Sequence, residues 1–445
     1  MTRQMHLHSA GASFANTAVV RDDAGSVVYD QRLTVPPGLG VDASCIEACT
    51  RRCVETAASL AASRATAQAR FLAWFDRADE PADMIALAER YRRTCRDVVI
   101  LGVGGAVLSG AAVLPMRPAG DDGPRVHVLE NPDPDRLDAL LHALTPEATG
   151  VLAVSKSGTT TETLMLVAAF ARFFEQSGHA GRLGDHLAVM TQPGDSPLGR
   201  VADRHGLPRL AHDSALTGRF SAGQTALVPA LVAGVDTGAM RAGARAVVDA
   251  VLETPDPAGT PPVLGAAVHA ALAQTGRLSQ SVLMPYRNAW QPFTRWFCQL
   301  WAESLGKDDR GITPIPALGC ADQHSQLQLF CDGPKDKLIT LVHEAEQAQC
   351  DPPDADPLSD SDLGVYAAPP MREALRREAL ATRSSLIQAG CPVRSLTVPA
   401  LGAYSLGALF MHDMLETVMT ADLLDVDPFS QPSVDRSKAR QRHAT

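Results

Sequence analysis

Residues 297–329 contain side chains that could move protons. Gln299 and Glu303 are four residues apart in an amphipathic run whose apolar residues have helical spacing, so both lie on one helix face. Gln323 and His324 follow about twenty residues later. A carboxylate and an imidazole can together transfer protons to and from carbon and oxygen. Glutamate on a helix is usually only a solvated charge, so the chemistry depends on what the rest of the chain provides.

A second polar stretch could bind a phosphate group. Residues 155–163 read SKSGTTTET and follow an apolar, strand-like run at 150–154, and a helical pattern continues from 164 to 174. Hydroxyls, a lysine and backbone amides at the start of a helix all favour an anion. A helix cap would explain only one or two of the six hydroxyls. The GxxxxGK[ST] spacing is absent, which argues against nucleoside triphosphate chemistry.

Two further turns could contribute to the same site. Residues 97–101 predict a buried strand that ends in the glycine-rich turn 102–106. Such a turn lets backbone amides approach an anion, although many α/β proteins use it only for packing. Arg219 stands between a glycine and Phe220 at an element boundary, where its charge could point into a cleft.

Composition restricts the function classes. The chain has 445 residues, 45% hydrophobic and 20% charged, with a formal net charge of −10. These values describe a globular protein of two or more domains and argue against nucleic-acid or anionic-membrane binding. The N-terminus has no apolar signal core and no run is long enough for a membrane span, so we expect a cytoplasmic protein. Nine scattered cysteines show no converging metal-ligand pattern and predict reduced thiols.

Strand-like and helical patterns alternate through both halves of the chain, which predicts two doubly wound α/β subdomains with ligands near the carboxyl ends of the strands. We expect an N-terminal arm and helical segment, a first subdomain, a second subdomain after a proline-rich connection, and a C-terminal helix with a lysine motif. The boundaries that we predict for these four segments are 1–95, 96–252, 263–400 and 401–445.

Five motifs together resemble the glucose-6-phosphate isomerase family, from about Asp97 to Lys438. In chain order they are SKSGTTTET at 155–163, LTGRFS at 216–221, AESLGK at 302–307, ADQH at 321–324 and DPFSQPSVDRSK at 427–438. The resemblance implies an α/β fold of two sugar-isomerase (SIS) subdomains. Each would be a doubly wound parallel sheet flanked by helices, with helical N- and C-terminal segments and an active site in the cleft between the subdomains.

The resemblance also implies an activity: the reversible aldose–ketose isomerisation of glucose 6-phosphate and fructose 6-phosphate, which belongs to glycolysis and gluconeogenesis. The reaction would pass through ring opening and a cis-enediolate. No metal or organic cofactor is implied, and the expected partners are the phosphosugar and a second copy of the chain. In such a homodimer His324 would reach the neighbouring subunit's site. The isomerase portion of bacterial transaldolase–isomerase fusions is similar as well, and we expect isomerase activity alone.

The resemblance assigns roles to individual residues. Glu303 would carry the proton between C1 and C2, His324 and Lys438 would open the ring, and Arg219 would stabilise the enediolate. The residues expected to hold the phosphate or the sugar are Gly105, Ala106, Ser155, Lys156, Ser157, Thr159, Thr160, Gln299 and Gln431.

This chain departs from the family pattern at three positions. Ala106 stands where serine is common, Leu305 where asparagine is common, and Ser430 where aspartate is usual. None of these removes a catalytic residue, but they affect the expectation for affinity and sugar preference.

Two alternatives remain open at this point. One is an isomerase of another phosphosugar such as mannose 6-phosphate, which assays on both sugars would distinguish. The other is a non-catalytic phosphosugar sensor, which should have lost Glu303, His324 or Lys438, whereas this chain retains all three.

Overall fold

A computed structural model describes residues 14–346, apart from Ala65, Ala67, Gln68 and Ala78, together with residues 370–434 and Arg436. The strands are β1 Phe14–Arg21, β2 Val27–Val35, β3 Asp97–Leu101, β4 Arg125–Leu129, β5 Thr149–Val154, β6 Leu187–Thr191, β7 Arg209–Ala211, β8 Gln280–Pro285, β9 Thr313–Pro316, β10 Lys337–Glu344 and β11 Val393–Val398.

The helices of the described residues alternate with these strands. They are α1 Ala43–Ala62, α2 Arg70–Phe75, α3 Ala82–Thr94, α4 Leu108–Val113, α5 Pro134–Ala143, α6 Thr161–Gln176, α7 Leu183–His186, α8 Pro197–His205, α9 Ala222–Thr225, α10 Leu227–Val232, α11 Thr237–Val248, α12 Pro261–Gln274, α13 Gln291–Leu305, α14 Leu327–Asp332, α15 Met371–Gln388 and α16 Ala403–Leu423.

The contacts group the chain into two compact units. Unit I comprises residues 1–62 and 243–445, and unit II comprises residues 63–242. The sequence prediction divided the chain at other positions, and its subdomain limits stay a prediction. The alternating α/β fold that it expected is confirmed, because each unit contains a sheet with parallel strands flanked by helices.

Unit II contains a five-stranded sheet in the order β4-β3-β5-β6-β7, and every neighbouring pair is parallel. All residues of β3, β5 and β6 are buried, as the apolar runs at 97–101 and 150–154 predicted for the first two. Helix α6 buries Leu166, Val167, Phe170 and Phe174, which are spaced for one helix face, in the same apolar cluster as Val99 and Val151.

Unit I contains a six-stranded sheet in the order β1-β2-β11-β10-β8-β9. Strands β11, β10, β8 and β9 are parallel, whereas β2 is antiparallel to both β1 and β11. The arm expected at the N-terminus forms the antiparallel pair β1–β2 and is therefore an integral part of this sheet. It adds an antiparallel edge to an otherwise parallel arrangement.

A buried ionic cluster lies in unit I between β11 and the helices α12 and α16. Arg394 and Glu416 are each 1% exposed, and the guanidinium Nη1 donates to the carboxylate at 2.6 Å. His269 and His412 place ring nitrogens 3.1 and 2.8 Å from the same carboxylate. The positive charge of Arg394 and these imidazoles outweigh burial and hold the pKa of Glu416 well below its usual range. This cluster therefore places a paired charge inside the core.

Candidate active site

The hydroxyl-rich loop of unit II begins where β5 ends. Ser155 is 3% exposed, and its Oγ accepts a hydrogen bond from the Gly158 amide at 3.1 Å and lies 2.9 Å from Thr160 Oγ1. Ser157 Oγ likewise lies 2.9 Å from Thr159 Oγ1. Thr160 is the residue before the first turn of α6, but its hydroxyl makes no capping bond to the helix. Ser155, Ser157, Thr159 and Thr160 therefore form two hydroxyl pairs in one loop at a helix N-terminus, where an anion is favoured.

Gly158 lets this loop fold tightly over its neighbours. Its φ is +64°, and a Cβ at this position would lie 2.2 Å from Ser196 Oγ. The Gly158 carbonyl accepts from the Leu198 amide at 3.0 Å, in the first turn of α8. A residue with a side chain would meet both a disfavoured backbone conformation and a steric clash. Both the backbone conformation and the close contact therefore favour glycine at the fourth position of the SKSGT sequence.

Lys156, the second residue of the loop, is half-buried. Its Nζ donates to the Leu216 carbonyl at 2.6 Å, within the segment that leads to Arg219. Burial lowers the pKa of Lys156, and the nearby negative charge of Asp213 opposes that shift. A cation that burial strips of water gains most from an anionic ligand, so the position suits phosphate binding.

The glycine turn after β3 packs directly on the turn that holds Arg219. A Cβ on Gly105 would lie 2.3 Å from the Gly218 carbonyl carbon and 2.7 Å from the Arg219 amide nitrogen. The Gly105 carbonyl accepts from Thr225 Oγ1 at 3.2 Å, which holds the turn from the other side. Arg219 itself is 1% exposed, with its guanidinium carbon 5.8 Å from the centre of the Phe220 ring. Unit II thus fixes Gly105, Ala106 and Arg219 through backbone contact.

The topology of the sheet explains why these turns matter. The chain passes from β3 to β4 on one side of β3 and then returns to place β5 on the other side. The direction of winding therefore reverses between β3 and β5. The crevice at the carboxyl ends of strands beside such a reversal is where open α/β sheets bind ligands. The turn at 104–106 and the loop at 155–160 are the segments that follow these two strands. The phosphate prediction therefore falls at the topologically expected position.

Unit I orients the predicted base. Glu303 lies in the last turn of α13, and Gln299 Nε2 donates to its Oε1 at 3.0 Å, as the four-residue spacing predicted. Lys307 Nζ donates to the carbonyls of Glu303 and Ser304, both at 2.7 Å, and so satisfies backbone groups at the end of the helix. Trp296, Leu300 and Trp301 of α13 are buried and so anchor the helix that carries Glu303.

His324 lies in a separate turn of unit I, after β9. Its side chain is exposed, at the end of a short 3₁₀ segment, Ala321–Gln323. Gln323 anchors that segment because its Nε2 donates to Tyr286 Oη at 2.8 Å and also contacts Thr382 Oγ1. Cys320, at the start of the segment, has a φ of +64°, an uncommon conformation for a residue other than glycine. The fold therefore holds this turn in place while it leaves the imidazole open to solvent.

The remaining predicted residues lie near the C-terminus. Gln431 is described and partly buried, whereas Lys438 lies outside the described residues. Of the three departures from the family pattern, Leu305 is fully buried at the end of α13 and acts as a core residue. Ser430 Oγ donates to the Asp427 carbonyl at 3.4 Å, and Ala106 is partly buried beside Gly105.

Sequence reasoning missed several supporting residues. Ser196 caps α8 through its Oγ, which accepts from the Gly199 amide at 3.1 Å, and it also packs against Gly158. The Ser-Pro pair at the start of α8 is a helix-start signal that could have located it. Thr225, which supports Gly105, lies 2.8 Å from Ser109 Oγ and carries no comparable signal in the sequence.

Two solved structures superpose on most of this chain. A crystal structure of a hypothetical protein from Thermus thermophilus superposes with a TM-score of 0.77 at 32% identity, covering 89% of this chain and 96% of that one. A glucose-6-phosphate isomerase structure from Chlamydia trachomatis superposes with a TM-score of 0.76 at 19% identity, covering 94% of this chain and 88% of that one. These superpositions, together with the parallel sheets described above, define an α/β protein that shares its fold with both structures.

Sequence comparison narrows the class to a family. The phosphoglucose isomerase family model matches residues 88–314. The glucose-6-phosphate isomerase of Rubrobacter xylanophilus is 38% identical over 375 residues, which cover 80% of this chain and 84% of that protein. A glucose-6-phosphate isomerase of Thermus thermophilus is 35% identical over 385 residues, covering 83% of this chain and 89% of that protein. The chain belongs to the phosphoglucose isomerase family.

Proposed function

We propose that this chain catalyses the reversible isomerisation of glucose 6-phosphate and fructose 6-phosphate. Membership of the phosphoglucose isomerase family supports this activity. The observation that carries it in the structure is the hydroxyl loop 155–160, organised by internal hydrogen bonds beside the point where the winding of the sheet reverses. Such a loop suits the end of the substrate that the two sugars share, namely the phosphate.

The phosphate would be held far from the reacting carbons. Ser155, Lys156, Ser157, Thr159 and Thr160 supply hydroxyls, a partly buried ammonium and amides at the N-terminus of α6. Gly105 and Ala106, in the neighbouring turn, would contact the sugar. Binding energy from the phosphate then positions C1 and C2, which raises the rate of a step in which the phosphate takes no part.

Glu303 would act as the base that carries the proton between C2 and C1. A planar cis-enediolate lets one carboxylate on one face remove the C2 proton and return it to C1, so no second base is needed. Gln299 donates to Glu303 Oε1 and so orients the carboxylate that would accept the proton. The charge that develops on oxygen needs a cation, and Arg219 would supply it.

Opening the closed sugar requires a proton to leave the anomeric hydroxyl and another to reach the ring oxygen. An imidazole and an ammonium can divide this work, and the roles fall to His324 and Lys438. Gln431 would support the phosphate together with Gln299. We also propose that the chain acts as a cytoplasmic homodimer in which His324 completes the neighbouring subunit's site. The exposure of its imidazole is consistent with this role. Among the described residues no helix combines the length and apolar character of a bilayer span.

A coupled assay tests the proposal directly. Conversion of fructose 6-phosphate would be measured for the unaltered chain, for Glu303→Gln and for Glu89→Gln, an exposed glutamate on α3 that serves as the matched control. Loss of an acid–base group costs about 10²–10⁴-fold in rate, so Glu303→Gln should lower kcat by at least that factor while the control stays unchanged. Equal rates in Glu303→Gln and the unaltered chain would overturn the assignment of the base. No conversion by the unaltered chain would overturn the activity.

A further inference from the structure

Unit I contains a polar cavity between its sheet and helix α15. Its volume is about 220 Å³, which is below the range of about 300–1,000 Å³ typical of pockets for drug-sized ligands and well above the space needed for one water. The floor is formed by strands β2, β10 and β11, and the roof by α15. The residues that line it and carry the argument are Asp30, Arg32, His343, Arg376, Arg383 and Ser395.

The register of the sheet explains how these residues meet. Asp30 is paired with Thr397 and Arg32 with Ser395, and His343 is paired with Thr397 from the other side. Paired residues project from the same face of a sheet, so one polar patch spans three strands. On the same face, Leu341 lies beside Ser395, and Ile339 and Val393 follow toward the other end; all three are in an apolar cluster with residues of α15. The patch is therefore a polar region where a helix-covered sheet face is expected to be apolar.

Helix α15 places its own polar residues over this patch. Arg376, Leu380 and Arg383 have the spacing of one helix face, and all three line the cavity. Ala379 and Leu386 of the same helix are buried in the apolar cluster. Residues that line the cavity therefore alternate along α15 with residues that pack in the apolar cluster, so the cavity is formed by two packed elements and not by one flexible side chain.

Several polar atoms around the cavity have no hydrogen-bond partner within the part of the chain that the structure describes. They are Asp30 Oδ1, Arg383 Nε and Ser395 Oγ. Ser395 is 1% exposed, so its hydroxyl cannot simply turn to solvent. Buried polar groups are normally satisfied, and an unmade bond of this kind costs about 1–3 kcal/mol. Two donors and one acceptor without partners thus belong to residues that line the same cavity.

The charged side chains around the cavity differ in how many of their hydrogen-bonding atoms already have partners. The Glu344 carboxylate accepts from Arg287, from Arg372 at 3.3 Å and from the Leu401 amide at 2.6 Å. Arg376 donates to both carboxylate oxygens of Glu373, at 2.7 and 2.9 Å.

Arg383 and Arg32 are the cations whose donors are least used. Arg383 donates to Thr34 Oγ1 at 3.1 Å, and Arg32 Nε lies 4.0 Å from Asp30 Oδ1, beyond hydrogen-bond distance. Burial and the like charge of Arg32 together lower the pKa of Arg383. Two neighbouring guanidiniums with spare donors favour an oxyanion, and the unused acceptor of Asp30 favours a hydroxyl beside it.

We propose that this cavity is a binding site for a small hydroxylated oxyanion, separate from the proposed active site. Arg383, Arg32 and Ser395 donate to the oxyanion, and Asp30 accepts from the neighbouring hydroxyl of the ligand. The chemistry is shared by short phosphorylated polyols and by hydroxycarboxylates, so the ligand class is defined by one oxyanion and at least one adjacent hydroxyl.

Calorimetric titration of the full chain tests the proposal. The loop variant Ser157→Ala/Thr159→Val serves as the background, because it weakens the proposed phosphate loop and isolates the second site. The probes are glycerol 3-phosphate and glycerate, with sulfate as the anion without a hydroxyl donor and glycerol as the hydroxyl without an anion. We expect saturable 1:1 binding of glycerol 3-phosphate or glycerate, weaker binding of sulfate and none of glycerol.

Variants then locate the site. Hydrogen bonds to charged groups correspond to about a tenfold to hundredfold change in affinity, so Arg383→Gln should weaken binding by that factor. Ser395→Ala, which is a smaller change and preserves folding, should weaken it about threefold to tenfold. Arg377→Gln is the matched control, because Arg377 is an exposed neighbour on α15 that pairs with Glu373 and does not line the cavity. The control should bind as the background does.

Two results would overturn the proposal. The first is the absence of saturable binding in the background, or equal affinity in Arg383→Gln, Ser395→Ala and the control. The second is binding that appears only after removal of residues 347–369, which contain five aspartates and no lysine or arginine, because that would assign the cavity to this segment. Neither result affects the proposed isomerase activity, which is measured separately by the rate of fructose 6-phosphate conversion.

Discussion

The contact between the two turns of unit II leads to a sharp prediction for Gly105→Ala. The added methyl group would lie 2.3 Å from the Gly218 carbonyl carbon, 2.4 Å from its oxygen and 2.7 Å from the Arg219 amide nitrogen. All three are backbone atoms and cannot move away by rotation of a side chain. Gly105 does not have a positive φ, so the expected damage is steric and does not arise from backbone strain.

The size of the effect follows from the distances. Non-bonded heavy atoms are comfortable at about 3.5–4.0 Å, so the two turns would have to separate by about 1 Å. Thr225 Oγ1, which donates to the Gly105 carbonyl, restrains such a movement. Overpacking of this kind costs about 1–3 kcal/mol of unfolding free energy. A displacement of about 1 Å at a substrate-positioning turn can cost about 10²-fold in rate, so we expect kcat/KM to fall by about that factor.

Gly218→Ala provides the matched control for this experiment. Gly218 lies on the opposite side of the same contact, yet a Cβ on it would have its nearest neighbour, Gly105 Cα, at 3.9 Å. Activity in the coupled assay and the midpoint of thermal unfolding would be measured for both variants. We expect Gly218→Ala to resemble the unaltered chain. Unaltered activity and stability in Gly105→Ala, or equal damage in both variants, would refute the reasoning.

Three further predictions concern charge and backbone conformation. Burial lowers the pKa of Lys156, so its positive charge is lost as pH rises into a range where an ordinary lysine is still protonated. If the ammonium binds the phosphate, the KM for fructose 6-phosphate should rise with pH in that range. Lys156→Arg should remove this rise. Glu416→Ala leaves Arg394 buried without its carboxylate and should lower the unfolding free energy by about 3–5 kcal/mol in urea titrations, against about 0–1 kcal/mol for Arg182→Ala, whose ion pair is exposed. Gly158→Ala should raise the KM for fructose 6-phosphate, because its Cβ would lie 2.2 Å from Ser196 Oγ and would displace the hydroxyl loop. An unchanged KM would argue against a role for this loop in binding.

Much of the fold could be predicted because the strongest patterns are local. The apolar runs at 97–101 and 150–154 became β3 and β5, and the helix expected in the C-terminal segment is α16. The four-residue spacing of Gln299 and Glu303 correctly predicted that both side chains meet on one face of α13. These features depend on residues that are close in sequence, so periodicity alone determines them.

Other features depend on contacts between distant segments and were beyond the sequence. The pairing of β2 with β11 joins residues more than 350 positions apart and converts an N-terminal arm into part of a sheet. The close approach of Gly105 to Gly218 requires knowledge of two turns at once. Arg394, His412 and Glu416 looked like ordinary polar residues of a strand and a helix, whereas the fold buries them as one cluster. No local pattern identifies such a set.

Hydrogen transfer from C2-deuterated glucose 6-phosphate tests the central claim most directly. Product would be followed by NMR in ordinary water for the unaltered chain and for Glu303→Gln, with binding of an unreactive sugar phosphate measured alongside. If Glu303 carries the hydrogen, the unaltered chain yields fructose 6-phosphate with part of the deuterium at C1, and Glu303→Gln binds the sugar phosphate normally but transfers and exchanges deuterium at least about 10²-fold more slowly. Transfer or exchange at the unaltered rate in Glu303→Gln would contradict the account.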